Sequence, residues 1–277
     1  MMRTHVDSAA RAIRPPSHPP MLAIPQLARD AWAGALDLVF APVCVSCRAP
    51  VPTSLPDRVV CQVCWARCRP LPAPRCDRCW GPVPAREDPR PKCRTCGDWP
   101  AAVRSIRSAY VMDDVPRDLV HALKYQGWEA AAGPMSARMA RITWPRDVED
   151  EVRLVVAVPT SKARLRERGY NQAALLAAGF AACTARVAAP ELLERTRATA
   201  TQTALHPSER RANVARAFSV PARQAPRVRG EHLMLVDDVW TTGATALACS
   251  EALLEAGARV VSVATFARVI PELERLG

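Results

Sequence analysis

Two adjacent carboxylates, Asp237 and Asp238, close an apolar run at residues 233 to 236 and are followed at once by Val239-Trp240-Thr241-Thr242-Gly243-Ala244-Thr245. An apolar run without helical period that ends in charge is how a buried parallel strand ends at a functional edge. Thr241, Thr242, Gly243, Ala244 and Thr245 set short hydroxyls and backbone N–H groups where a helix begins. The orphan donors and positive dipole end there favour a phosphate dianion. The two carboxylates upstream are acceptors for the hydroxyls of a sugar carrying that phosphate, and they suit a hydrated Mg²⁺. Together these residues describe a ribose 5-phosphate socket. The competing reading is that the two acids merely cap the helix that follows. A nucleoside triphosphate site is excluded, because the chain contains neither G-x-x-x-x-G-K-[ST] nor G-x-G-x-x-G.

The second chemical signal is thiol. Nine of the eleven cysteines lie between Cys44 and Cys96, and eight form four C-x-x-C pairs, Cys44/Cys47, Cys61/Cys64, Cys76/Cys79 and Cys93/Cys96. The second two pairs repeat the first two at an offset of 32 residues, so the segment is a duplicated module. Two such pairs, together one knuckle, supply the four thiolates of a closed tetrahedral zinc site, which leaves no open position and is structural. About two Zn²⁺ per chain are expected. Sequential grouping of the pairs is adopted, and an interleaved grouping satisfies the same spacing. Disulfides fit less well in a chain read as lacking a secretory leader. Cys68, Cys183 and Cys249 break the pattern and read as small apolar fillers.

The segment Leu-Val-Asp-Asp-Val-Trp-Thr-Thr-Gly-Ala-Thr resembles the phosphoribosyl pyrophosphate (PRPP) signature of the type I phosphoribosyltransferases. With the cysteine pattern, the chain from about Leu36 resembles the ComF family. That resemblance implies a mainly parallel, Rossmann-type α/β domain behind a double zinc ribbon. It assigns the ribose hydroxyls to Asp237 and Asp238 and the 5-phosphate to residues 241 to 245. Lys124, in Leu-Lys-Tyr-Gln-Gly, resembles the family's K-[FY]-x-G element near the site entrance; a solvated lysine at a helix end is the other reading. Lys162, Arg168, Gly169, Asn171 and Gln172 match the motif ending R-G-[FY]-N-Q and are expected as leaving-group or structural contacts of a pyrophosphate loop, with Lys162 and Arg168 stabilising the pyrophosphate as it leaves. Residues 195 to 218 resemble a basic flap. The resemblance further implies Mg²⁺ with PRPP, a cytoplasmic protein of natural competence, single-stranded DNA and a DNA-uptake helicase as partners, and an acceptor that is not specified. A non-catalytic nucleotide- or nucleic-acid-binding module and a nucleobase salvage enzyme are the alternatives; no purine or pyrimidine hood is recognisable.

Elements must hold these groups. Residues 154 to 158 and 260 to 264 read as further buried strands, and residues 103 to 111 alternate loosely before Asp113-Asp114, read as a turn and cap, with Pro116 at the first position of a helix. The segment from Lys162 to Arg168, with four cations in seven residues, reads as a basic loop after a strand. The expected organisation is a disordered, proline-rich tail (1–26), which also fits a transit peptide, a short amphipathic helix (27–42), the double zinc ribbon (43–100) and the phosphoribosyltransferase-like domain (101–277). Met21 is an alternative start. The 277 residues are 49% apolar and contain no run long enough for a membrane span. The formal charge of +11 gathers in residues 43 to 100 (ten basic, five acidic) and 151 to 230 (fourteen basic, five acidic). Arginines read as exposed on the ribbon, such as Arg67, Arg69, Arg75, Arg78 and Arg94, favour a polyanion; a solvated Arg-rich surface accounts for the same excess.

Overall fold

The computed structural model describes residues 42–52, 57–83, 93, 95–196 and 216–270, all within one compact unit, Pro42–Gly277. The expected tail, the amphipathic helix up to residue 41 and most of the flap lie outside the described residues.

Five strands form one parallel sheet: β1 (Val103–Val111), β2 (Leu154–Ala157), β3 (Val187–Ala188), β6 (His232–Trp240) and β7 (Val260–Arg268), in the order β1-β7-β6-β2-β3. β4 (Glu194–Arg195) and β5 (Phe218–Ser219) make a small antiparallel pair. The helices are α1 (Gln62–Arg67), α2 (Asp114–Tyr125), α3 (Ala132–Met139), α4 (Arg146–Glu151), α5 (Lys162–Arg168), α6 (Gln172–Cys183), α7 (Ala225–Val228) and α8 (Ala244–Glu255).

Order and direction of this sheet decide where a site can lie. From β2 the chain crosses outward through α6 to β3, whereas from β6 it crosses the other way through α8 to β7. The carboxyl ends of β2 and β6 therefore flank a topological switch point, the crevice that parallel α/β sheets use for ligands. The strands read as continuous apolar runs are buried on both faces: Leu233, Met234, Leu235, Val236, Val155, Val156, Val261 and Val263 are all fully buried. His232, buried at the start of β6, is held between Glu151 Oε2 and Ser262 Oγ, each at 2.9 Å.

Three local readings change. α2 begins at Asp114, so Pro116 is its third residue rather than its first, and Asp113 makes no side-chain cap bond but pairs with Arg69 at 2.7 Å. The basic loop is a seven-residue helix, α5, capped by Ser161 Oγ, which accepts from the Arg164 N–H. Cys68 and Cys249 are buried as fillers should be, but Cys183, at the end of α6, is exposed.

The cysteine module shares the core of the sheet: Cys44, Cys61, Cys64, Trp65, Cys79, Cys96 and Trp99 belong to the same buried cluster as Ile106, Leu235 and Phe266. Its duplication is visible in the backbone, since the isolated bridges Val43↔Pro50 and Arg75↔Pro82, and the left-handed residues Arg48 and Trp80, are each 32 positions apart. Among the described residues no helix is long and apolar enough to cross a membrane.

Candidate functional site

A cavity of about 1000 Å³ opens at the switch point. One wall is the end of β6 and its loop, with Asp237, Asp238, Trp240, Thr241, Gly243, Ala244 and Thr245. The facing wall is the end of β2 with α5, including Ser161, Lys162, Arg164, Arg166 and Arg168. Lys124 and Tyr125 from the end of α2, Gln172 from α6, and Arg195 and Thr196 complete it.

The helix-cap reading of the two acids does not hold. The N-cap of α8 is Gly243, five residues beyond Asp238, while Asp237 Oδ1 accepts from the Asp238 N–H at 2.9 Å. Freed from capping, the carboxylates belong to the cavity. Asp238 is buried, and Lys124 Nζ stands 2.7 Å from its Oδ2. The solvated-lysine reading therefore fails too. Burial works against the Lys124 ammonium, but Asp238 and then Asp237 outweigh it and hold its pKa above the ordinary lysine value. Burial, followed by the charge of Asp238, pushes the Asp237 carboxyl up to about 8, with Lys124 pulling the other way.

The loop between the acids and α8 is held by packing. Gly243 has φ +78°, a left-handed conformation, and a Cβ built on it would lie 2.1 Å from Cζ2 of Trp240. Only glycine can take both that turn and that approach to the indole. Its carbonyl accepts from Leu247 N as α8 starts, and Gly243, Ala244 and Thr245 line the cavity at that helix start.

Not every residue singled out lines the cavity. Thr242 accepts from Ala244 N through its Oγ1 at 3.4 Å. Gly169 is the left-handed C-cap of α5 (φ +84°), and Asn171 caps α6, accepting from Ala173 N while its amide donates to Val158 O. These three shape the walls. Arg168 does reach the cavity: Nη1 donates to Gln172 Oε1 at 2.9 Å and the guanidinium lies 5.0 Å from the Tyr125 ring centroid. Sequence reasoning gave no weight to Ser161, Tyr125 or Trp240. The Ser161 cap was legible as a serine before the basic run; the other two depend on contacts between distant strands and helices.

Both four-cysteine groups form sequentially. Cys44, Cys47, Cys61 and Cys64 make one, Cys76, Cys79, Cys93 and Cys96 the other, and within each all Sγ atoms lie within 4.8 Å of one another. Sulfur separations of 3.7 Å (Cys47–Cys61), 3.6 Å (Cys76–Cys96) and 3.5 Å (Cys79–Cys93) match the roughly 3.8 Å edge of a tetrahedron with Zn–S bonds of about 2.3 Å. Amide donors add to the fit. Cys61 N donates to Cys44 Sγ and Cys64 N to Cys61 Sγ, both at 3.4 Å. Arg78, expected on the surface, is instead a half-buried bracket that donates to the carbonyls of Val103, Cys96, Trp99 and Pro100. Arg94 lies outside the described residues.

No family model matches the chain. Over 158 residues, 55% of its length, it is 34% identical to DNA utilization protein YhgH from Escherichia coli O157:H7 and from Escherichia coli strain K12. The match spans 66% of those proteins, just under two thirds. Competence protein ComFC of Bacillus subtilis strain 168 is 28% identical over 179 residues, 62% of this chain and 70% of that protein. Among solved structures, glutamine PRPP amidotransferase from B. subtilis, complexed with ADP and GMP, is 21% identical over 50% of this chain and 26% of that one, with a TM-score of 0.34. A second solved structure, described as the allosteric regulatory enzyme of purine biosynthesis, is 24% identical with a TM-score of 0.33. The chain, with its Asp-Asp-Val-Trp-Thr-Thr-Gly segment at a switch-point crevice and two four-cysteine groups before it, is thus a homologue of YhgH, a ComF-family protein, and of ComFC.

Proposed function

We propose that the chain binds PRPP, or a related ribose phosphate, in the switch-point cavity and serves as a phosphoribosyltransferase-like protein in the handling of DNA in the cytoplasm. The observation that carries this reading is that two carboxylates and a threonine-glycine loop share one wall of a cavity whose other wall holds Lys162 and Arg168. Asp237 and Asp238 accept from the ribose hydroxyls, the N–H groups and hydroxyls of residues 241 to 245 take the 5-phosphate, and Lys162 and Arg168 face the pyrophosphate. The acceptor chemistry of the two acids fits a hydrated Mg²⁺, which would neutralise the pyrophosphate when bound. In a transferase, charge leaving with the pyrophosphate would be met by Lys162 and Arg168. In a sensor the same contacts would bind without reaction. Calorimetric titration with Mg²⁺–PRPP tests the site, and pyrophosphate release screened over bases, nucleotides and single-stranded DNA separates transferase from sensor. Absence of binding would remove both.

A nucleic-acid role has its own support. Arg75, Arg138 and Arg141 converge on a second cavity of about 200 Å³ beside Trp80 and Tyr110, and none of the three is paired with an acid among the described residues. Arg75 lies 4.5 Å over the Trp80 ring and Arg138 4.5 Å over Trp65, which leaves their outward N–H groups for phosphate. Single-strand binding through them should fall with log salt at a slope of about −0.7 per phosphate neutralised, and a triple Arg→Gln variant should flatten that slope. A slope unchanged in the triple variant would place any DNA contact elsewhere.

A further inference from the structure

The loop of residues 241 to 245 rests on Trp240, and what holds Trp240 comes from the second cysteine knuckle. Trp240 is buried, with Gly243 against its six-membered ring. The indole of Trp99 packs on it at 5.4 Å between centroids, tilted by 54°. The guanidinium of Arg268, which sits opposite Trp240 in the β6–β7 register, lies 5.6 Å from the same ring and donates through Nη1 to the carbonyl of Cys79. Trp99 follows Cys96 by three residues, and Arg78, one residue before Cys79, ties the carbonyls of Cys96 and Trp99 together. Gly81 leaves the room Arg268 needs, since a Cβ there would stand 3.0 Å from its Nη2 and 3.4 Å from Cys79 Sγ. Two of the four cysteines of one knuckle, Cys79 through Arg268 and Cys96 through Trp99, are thus two contacts from Trp240.

Different neighbours surround the first knuckle. Trp65, next to Cys64, packs on Tyr110 and Phe266 at 6.3 and 6.4 Å. Ser46 Oγ donates to Asp118 Oδ2 on α2. None of these residues touches Trp240 or Gly243 through a described ring contact or hydrogen bond.

We propose that the second four-cysteine knuckle is a positioning element for the ribose-phosphate loop, acting through Trp99 and Arg268 on Trp240, and that the first knuckle has no such role. The assignment rests on reading residues 241 to 245 as the phosphate loop. An indole held by Trp99 and Arg268 fixes the position of Gly243 packed against it, and with it the path of the loop that follows. Without the clamp the indole can tilt, and the loop loses its single position.

The test compares matched losses of an indole in the full, zinc-loaded chain: Trp99→Leu in the second knuckle and Trp65→Leu in the first. Hydrogen exchange at amides 241 to 245 needs no ligand, so it reads loop position independently of whether Mg²⁺–PRPP binds. Trp99→Leu should speed that exchange at least tenfold and, in titration, weaken Mg²⁺–PRPP by about tenfold. Trp65→Leu should lower the melting temperature and change neither, and Trp99→Phe should restore both. Should Trp99→Leu not fold, Arg268→Met, which keeps the stem and loses the bond to Cys79, reads the same amides. Wild-type exchange in the second-knuckle variants, or equal acceleration by Trp65→Leu, overturns the proposal. A wild-type chain that ignores Mg²⁺–PRPP would instead overturn the phosphate reading, with the exchange result still deciding the positioning claim.

Discussion

The two cysteine knuckles share a spacing, a bridge and a left-handed residue, yet they are attached to different parts of the sheet. The first is pinned to α2 by Ser46–Asp118 and Arg69–Asp113, and to β1 and β7 near their carboxyl ends by the Trp65–Tyr110–Phe266 rings. The second is pinned to the carboxyl ends of β6 and β7, where the site is. A duplicated module therefore need not duplicate its role. Metal bound in these two groups would supply folding energy to both copies, whereas only the second copy contacts the residues that hold Trp240.

The largest effect expected is one the two knuckles share. Elemental analysis should give about two zinc per chain, and stripping the metal should remove folding free energy on the order of 10 kcal/mol per site. A chain with no zinc and oxidised thiols would break the comparison at its base. Cys61→Ser and Cys93→Ser should each lower the count to one, and at equal folded fraction Cys93→Ser should weaken ribose-phosphate binding more than Cys61→Ser.

Next in size is the ion pair under the loop. Lys124→Met leaves the Asp238 carboxylate, whose side chain is 4% exposed, without its cation, a loss of about 3–5 kcal/mol by analogy with other buried pairs broken on one side. Thermal denaturation reads it directly. A change well under 1 kcal/mol would mean that water already shares the site.

Gly243→Ala probes the second knuckle's end of the comparison. Strain at φ +78° and the 2.1 Å approach to Trp240 should cost roughly 1–3 kcal/mol, seen as a tenfold to hundredfold loss of Mg²⁺–PRPP affinity. Trp240→Leu in the same chain should recover part of that loss by making room. No recovery would show that the clash is not with the indole.

Much of this was legible in the sequence, and the remainder has physical reasons for being hidden. β6 and its acids, the grouping of thiols by a 32-residue repeat, and the buried β2 and β7 all follow from local pattern, which is what period and spacing encode. α5 was missed because it buries no residue and so shows no apolar stripe, leaving Ser161 as its only signal. Lys124 and Asp238 are 114 positions apart, and Trp99 and Trp240 are 141 apart, so which strand end meets which knuckle is decided by sheet order rather than by either segment. That Arg78 is a bracket rather than a surface charge follows from the same contacts.

Asp237 offers the measurement that tests the ribose-phosphate socket most directly, because stability and binding should move in opposite directions. Its pKa, raised to about 8 on folding, means the folded chain holds the proton more tightly than the unfolded one, so stability drains away as pH climbs from the ordinary carboxylate range toward 8. Asp237→Asn removes that penalty, whereas Asp238→Asn would strand Lys124 and blur the result. The account predicts that Asp237→Asn melts at or above the wild-type temperature near neutral pH. The same variant should lose about tenfold or more in Mg²⁺–PRPP affinity, the value of one charged acceptor, along with the rise in affinity expected of the wild type as pH approaches 8. Wild-type affinity and pH dependence in Asp237→Asn, measured by the same calorimetric titration, would contradict it.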